Sequence, residues 1–157
     1  MKVTLLCIGK TEEDYLKKGI DIYNKRLKHY LRFSMEVIPA MKNTKNISED
    51  VQKEKEGELI LAKLLPTDHV VLLDENGAEF SSEEFSSQIE KKMVSGLRNL
   101  VFVIGGPYGF SDNVYQRSNE KAALSQMTFS HQMVRLIFVE QLYRAMTIIK
   151  GEPYHHK

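Results

Sequence analysis

The sequence predicts an α/β protein with a largely parallel sheet flanked by helices, and two observations carry that reading. Strand-like and helix-like segments alternate along the chain. The strand-like segments KVTLLCI (2–8), HVVLLD (69–74) and LVFVI (100–104) carry no polar face, as expected of strands covered by helices on both sides. With 157 residues, 42% hydrophobic and 27% charged, the chain has the composition of a globular protein and reads as a single domain, residues 1–157.

The elements follow in order. Residues 2–8 form a buried strand ending at Gly9, with Cys7 inside it as a small core residue. From Glu12 to Leu31, Tyr15, Leu16, Ile20, Tyr23, Leu27, Tyr30 and Leu31 recur at helical spacing with lysines and arginines on other faces, which predicts an amphipathic helix with a basic side. FSMEVI (33–38) alternates and stops at Pro39, giving a second strand. Ser48, followed by Glu49 and Asp50, opens a helix that runs to Leu65 and is closed by Pro66. The strand at 69–74 leads to Asn76-Gly77, read as a tight turn, and Ser81-x-x-Glu84 is a capping box for a third helix. The strand at 100–104 leads into Gly-Gly-Pro-Tyr-Gly (105–109). A long helix then spans 131–151, ended by Gly151 and Pro153.

That last helix is apolar around most of its circumference, which requires cover on several sides. In so small a chain a second copy is the expected source, so the sequence predicts a homodimer with this helix at the interface. The lone Cys7 cannot form an internal disulfide, no charged-then-apolar leader is present, and no apolar run approaches the roughly 20 residues of a membrane span. These features predict a cytoplasmic protein without membrane segments.

The net charge of +1 hides an uneven distribution. Residues 1–65 hold 13 basic and 10 acidic side chains, residues 66–116 hold 3 and 8, and residues 117–157 hold 6 and 3. The ordinary reading is three solvated faces that differ. The alternative brings the two basic parts together on a polyanion, with the acidic middle turned elsewhere.

Several residues carry candidate chemistry. The glycine cluster 105–109 lies just past the carboxyl end of a buried strand, where open α/β sheets bind ligands, and its glycines permit close backbone approach. It is neither a dinucleotide fingerprint nor a phosphate loop, and a plain tight turn is the competing reading. Arg135 and Arg144 interrupt the apolar helix, where a charge must be paired or used, either with Glu140 or the partner chain, or on a phosphate or transition state. His155 and His156 lack the further ligands and spacing of a zinc site, so no metal is expected. Asp74 and Glu75 read as solvated loop carboxylates.

The strings VFVIGGPYGFS (101–111) and LSQMTFSHQMVRLIFVEQLYRAMTIIKGEPYHHK (124–157), with the opening VTLLCIGK, strongly resemble the RlmH family over the whole chain. These are bacterial SPOUT-class methyltransferases of large-subunit ribosomal RNA. The resemblance implies a SPOUT-type α/β knot, with a C-terminal trefoil in about residues 70–157, an exception to the rule that chains do not thread. It implies a homodimer that methylates N3 of a pseudouridine in 23S ribosomal RNA on the assembled ribosome, using S-adenosyl-L-methionine and no metal. Matching the motifs places the cofactor on Leu73, Gly105, Leu124, Ser125, Gln126, Met127, Thr128 and Phe129, mainly through backbone groups. It assigns Arg144 to phosphate binding or stabilisation of the imide anion, and Tyr154 with His155 to positioning the base or accepting its proton. His131 and Arg135 rank second, as residues that shape the knot.

Two departures stand out. Ser130 occupies a position where the resemblance leads one to expect Pro, although Ser caps a helix well. The tail reads His155-His156-Lys157, so either histidine can face the substrate. Two other readings compete: a SPOUT enzyme with another RNA target, and a ribosome- or RNA-binding module that has lost catalysis and binds no S-adenosylmethionine.

Overall fold

The computed structural model describes residues 1–156. Five strands, β1 (Lys2–Ile8), β2 (Arg32–Ile38), β3 (His69–Glu79), β4 (Asn99–Ile104) and β5 (Glu120–Ala123), form one sheet in the order β2-β1-β4-β3-β5. Every neighbouring pair is parallel. The helices are α1 (Asp14–Leu27), α2 (Glu49–Leu61), α3 (Ser82–Val94), α4 (Asp112–Arg117) and α5 (Met133–Ile149).

The period-two geometry of a strand sends alternate side chains to opposite faces, and both faces here are buried. Val3, Leu5 and Cys7 of β1 join Leu100, Phe102 and Ile104 of β4 against α1, α3 and α5, in a core that includes Phe85, Ile89, Phe138 and Leu142. Leu6, Ile8, Val101 and Val103 face the other way, against Ile60 of α2 and Val114 of α4. That double burial is why the strands read as unbroken apolar runs.

Caps occur where the sequence signals them. Ser81 accepts from Glu84 N and Glu84 from Ser81 N, completing the capping box of α3. Ser48 Oγ accepts from Val51 N at the start of α2. Gly151, at φ 67, closes α5 in the left-handed region. Ser130 Oγ accepts from Met133 N at 3.1 Å, so the serine does support the start of α5.

Four expectations are corrected. First, α1 ends at Leu27 instead of Leu31, because the amides of Tyr30 and Leu31 turn back onto Leu27 O. Second, α2 ends at Leu61, four residues before the position expected from Pro66. Third, Asn76-Gly77 does not end a strand at a hairpin. Leu73 and Ala78 of β3 both pair with Ala122, and residues 74–77 form an irregularity inserted between them. Gly77 packs so tightly on β5 that a β-carbon there would fall 2.5 Å from Ala122 N.

The fourth correction concerns Arg135, which pairs with no carboxylate. It is wholly buried, and its guanidinium donates to Ile8 O (2.7 Å), Gly9 O (2.9 Å), His131 O (3.0 Å) and Thr11 Oγ1 (3.1 Å). The carbonyls of Ile8 and Gly9 at the end of β1 point to the Arg135 guanidinium, which donates to both. It ties β1 to the first turn of α5.

Candidate active site

The carboxyl ends of β3, β4 and β5 open into a cleft of about 730 Å³. Three loops build it: the irregularity at 74–77, the glycine loop after β4, and the segment between β5 and α5. Leu73, Gly105, Leu124, Ser125, Met127, Thr128 and Phe129 all line it. Gln126, assigned to the same set, does not. Its side-chain amide donates to Glu79 Oε2 at 3.3 Å, while Thr128 Oγ1 donates to Glu75 Oε2 at 3.2 Å, so two side-chain bonds clasp the third loop to the first.

The walls are apolar and acidic. Ile104, Phe110 and Val134 join Leu73, Leu124 and Phe129, whereas Asp74, Glu75 and Asp112 supply carboxylates. Asp74 is fixed in place: Oδ1 accepts from Asn76 N at 2.8 Å, and Oδ2 accepts from Tyr115 Oη. Burial, then the bond to Asp74, raises the Tyr115 phenol above its ordinary range, so it remains a donor. At Gly105 an added β-carbon would meet the Phe110 ring at 3.1 Å and Gly109 O at 3.3 Å, which leaves room for backbone alone.

Arg144, Tyr154 and His155 come together elsewhere, and none of them lines the cleft. Arg144 Nη2 donates to Glu140 Oε1 at 2.5 Å, and Tyr154 Oη donates to the same oxygen at 3.0 Å. His155 Nδ1 lies 3.3 Å from Arg144 Nη1, and its Nε2 lies 3.2 Å from Glu83 Oε1. Because Arg144 only donates and Glu83 accepts, the neutral imidazole consistent with both contacts carries its proton on Nε2. Tyr23 Oη bonds Tyr154 Oη at 3.2 Å, and the Arg144 guanidinium lies 4.8 Å from the Tyr154 ring centroid. The bond to Glu140 raises the Arg144 pKa, so this cation stays charged. The phenol of Tyr154 is raised by burial and then by its bonds to Tyr23 and Glu140.

A family model described as "Predicted SPOUT methyltransferase" matches residues 1–155. The chain belongs to this SPOUT methyltransferase family. Relatives include proteins named ribosomal RNA large subunit methyltransferase H from Flavobacterium psychrophilum, 62% identical, and from Christiangramia forsetii and Parabacteroides distasonis, each 60% identical. All three align over 157 residues, the full length of both chains.

This SPOUT methyltransferase therefore holds two separate groups of candidate residues. His131 lies at the rim of the cleft, whereas Arg135 is structural and His156 is exposed. Val134 lines the cleft and Arg144 lies ten residues further along α5, about 15 Å down its axis at 1.5 Å per residue. The acidic middle of the chain does not turn away as expected: its Asp74, Glu75 and Asp112 stand in the cleft wall. They lie there because Asp74 and Glu75 belong to the irregularity within β3 and Asp112 opens α4, and both border the cleft.

Sequence reading singled out neither Tyr23, Tyr115 nor Glu83. A pair between Arg144 and Glu140 was one of the alternatives the sequence left open, and the structure contains it. Among the described residues, no group of three or more His, Cys, Asp and Glu side chains is placed to hold a metal ion, and no helix is long and apolar enough to cross a membrane.

Proposed function

We propose that this single-domain methyltransferase, residues 1–157, acts in the cytoplasm as a homodimer and methylates N3 of a pseudouridine in 23S ribosomal RNA on the assembled ribosome. Its methyl donor is S-adenosyl-L-methionine, and residues 70–157 carry the knotted path typical of the family. The observation that carries the cofactor assignment is the cleft itself. Seven of the eight residues assigned to the donor line it, with Gln126 the exception.

The residues present fit such a donor. A sulfonium and an ammonium favour acidic walls, supplied by Asp74, Glu75 and Asp112. An adenine ring favours the apolar cover of Leu73, Leu124 and Phe129. Gly105 lets backbone approach closely. When bound, S-adenosylmethionine supplies an electrophilic methyl carbon.

The nucleophile is an imide nitrogen, a weak acid that must lose its proton or be stabilised as its anion. Arg144 is held charged by Glu140 and provides the positive field for that anion. Tyr154 keeps its proton, and His155 has both ring nitrogens engaged, so in this arrangement they position Arg144 and the base. To accept the imide proton, His155 would first have to leave Arg144.

The distance between the cleft and this cluster supports the dimer. Met133, Ile137 and Ile148 form a half-exposed apolar stripe on α5, outside both core clusters and on the same outer side of the helix as Arg144. A second copy covering this stripe buries it and brings one tail toward the other cleft.

Calorimetry with S-adenosylmethionine tests the cofactor reading: micromolar or tighter binding is expected, and none would favour the non-catalytic RNA-binding module. Replacing Arg144, Tyr154 and His155 singly by Ala is expected to cut methyl transfer while leaving cofactor binding intact. Transfer near wild type in all three would overturn their assignment. Methylation of a different RNA would support the reading of another target.

A further inference from the structure

A buried carboxylate on α2 takes no part in the chemistry described so far. Glu56 is 3% exposed, a rare state for glutamate. Its Oε1 accepts from Gln52 Nε2 at 3.1 Å, and its Oε2 has no hydrogen-bond partner among the described residues. The carboxyl lies against the glycine loop that lines the cleft, and a β-carbon on Gly106 would fall 2.2 Å from Oε2.

The next residue meets the other end of the same loop. A β-carbon on Gly57 would fall 2.2 Å from Ser111 Oγ, and Ser111, 1% exposed, likewise has no partner for its hydroxyl. Two consecutive residues of α2 therefore hold both ends of the loop at 105–111, and each contact carries a buried polar atom without a partner. Such atoms are uncommon and costly, and a small loop movement that pairs them is favoured.

We propose that Glu56 is a positioning residue for the methyl donor: its protonated carboxyl hydrogen-bonds the 105–111 loop in the donor-binding conformation, and its ionisation releases that loop. The proposal rests on reading the cleft as the S-adenosylmethionine site. A neutral carboxyl both donates and accepts, so Oε2–H can serve a carbonyl of the loop it packs on. A carboxylate only accepts and cannot bond a loop carbonyl; among the described residues the Gln52 amide is bonded to Oε1 alone, which leaves Oε2 of a buried charge unpaired.

Burial raises the Glu56 pKa, against the opposing effects of the Gln52 bond and the positive field of His131. The groups facing it are Gln52 on its own helix, Gly106 from the loop, and His131 from the segment before α5. Lys53, its neighbour on α2, is paired with Asp50 at 3.4 Å. The holding form is thus complete below the raised pKa and is lost as pH rises through it.

The test uses the full chain labelled with ¹⁵N-glycine, and calorimetry with S-adenosylhomocysteine, at the two ends of a pH series that runs from about 4.5, the ordinary carboxyl range, to about 9. In the wild type, the amide signals of Gly105, Gly106 and Gly109 are expected to titrate together, and affinity to fall about tenfold over the same range. Glu56→Gln, which keeps a neutral donor and acceptor, is expected to abolish that titration and to bind equally well at both pH values. Glu56→Ala is expected to bind about tenfold more weakly at both. Glycine signals that are flat with pH in the wild type, or that titrate unchanged in Glu56→Gln, would overturn the proposal; the second result would assign the titration to His131. Failure of the wild type to bind S-adenosylhomocysteine would instead sink the cofactor reading, and the glycine titration would still decide whether Glu56 holds the loop.

Discussion

Arg144 and Glu140 stand one helical turn apart on α5, joined at 2.5 Å through a carboxylate oxygen that also accepts the phenol of Tyr154 at 3.0 Å. Glu140 thereby fixes the direction of the Arg144 cation and anchors the tail that follows α5. Glu140→Gln keeps the shape and removes the charge. It is expected to lower kcat by about ten- to a hundredfold through misplacement of Arg144, with cofactor affinity unchanged. Steady-state kinetics beside calorimetry checks this. An unchanged kcat would show that Arg144 needs no carboxylate to orient it.

Arg135→Met removes three hydrogen bonds that hold the end of β1 and the residues after it to α5, together with a fourth to His131 O, and leaves the carbonyls of Ile8, Gly9 and His131 without this donor. The expected loss is about 3–5 kcal/mol in urea denaturation, as for breaking a buried charged network. Arg135→Lys recovers only part of it, because a single ammonium cannot span the same acceptors.

Cys7 is wholly buried in β1, and burial pushes its thiol up to about 12, with Arg135 acting against that shift. The folded pKa lies above the usual 9.0, so the neutral thiol's contribution to stability is complete below 9.0 and is lost as pH rises toward about 12. Alkylation by iodoacetamide at about pH 8 is therefore expected to be negligible in the folded protein and rapid in guanidinium. Fast labelling of the native state would contradict the buried placement.

Ile137 lies at the centre of the apolar stripe on α5 that no other part of the chain's core covers. Ile137→Glu places a charge there and is expected to convert a dimer to a folded monomer in sedimentation at micromolar concentration, with methyl transfer lost. A wild-type protein that sediments as a monomer would count directly against the dimer.

The sheet was legible where burial on both faces left unbroken apolar runs, as in β1, the first half of β3, and β4. It was not legible in β5, whose Glu120 and Lys121 are too polar and whose four residues are too few to show a period. The six residues of α4 were lost for the same reason. Asn76-Gly77 carries the composition of a turn, but its glycine serves close packing on Ala122 within a parallel pair. The loops assigned to the cofactor came from family resemblance alone, because the contacts it implies are mainly to backbone groups, which leave little side-chain signature. Glu56 was hidden in a helix rich in charge on every side, where nothing marks the one carboxylate that turns inward. The separation of the tail cluster from the cleft is a matter of helix length and direction, which no local pattern records.

The central claim is methyl transfer to N3 of a pseudouridine in large-subunit ribosomal RNA. The most direct measurement incubates the protein with methyl-labelled S-adenosylmethionine and ribosomes from a strain lacking the enzyme, then maps the labelled nucleoside. The account predicts label in 3-methylpseudouridine of the large-subunit RNA, and label in any other nucleoside, or none, would contradict it.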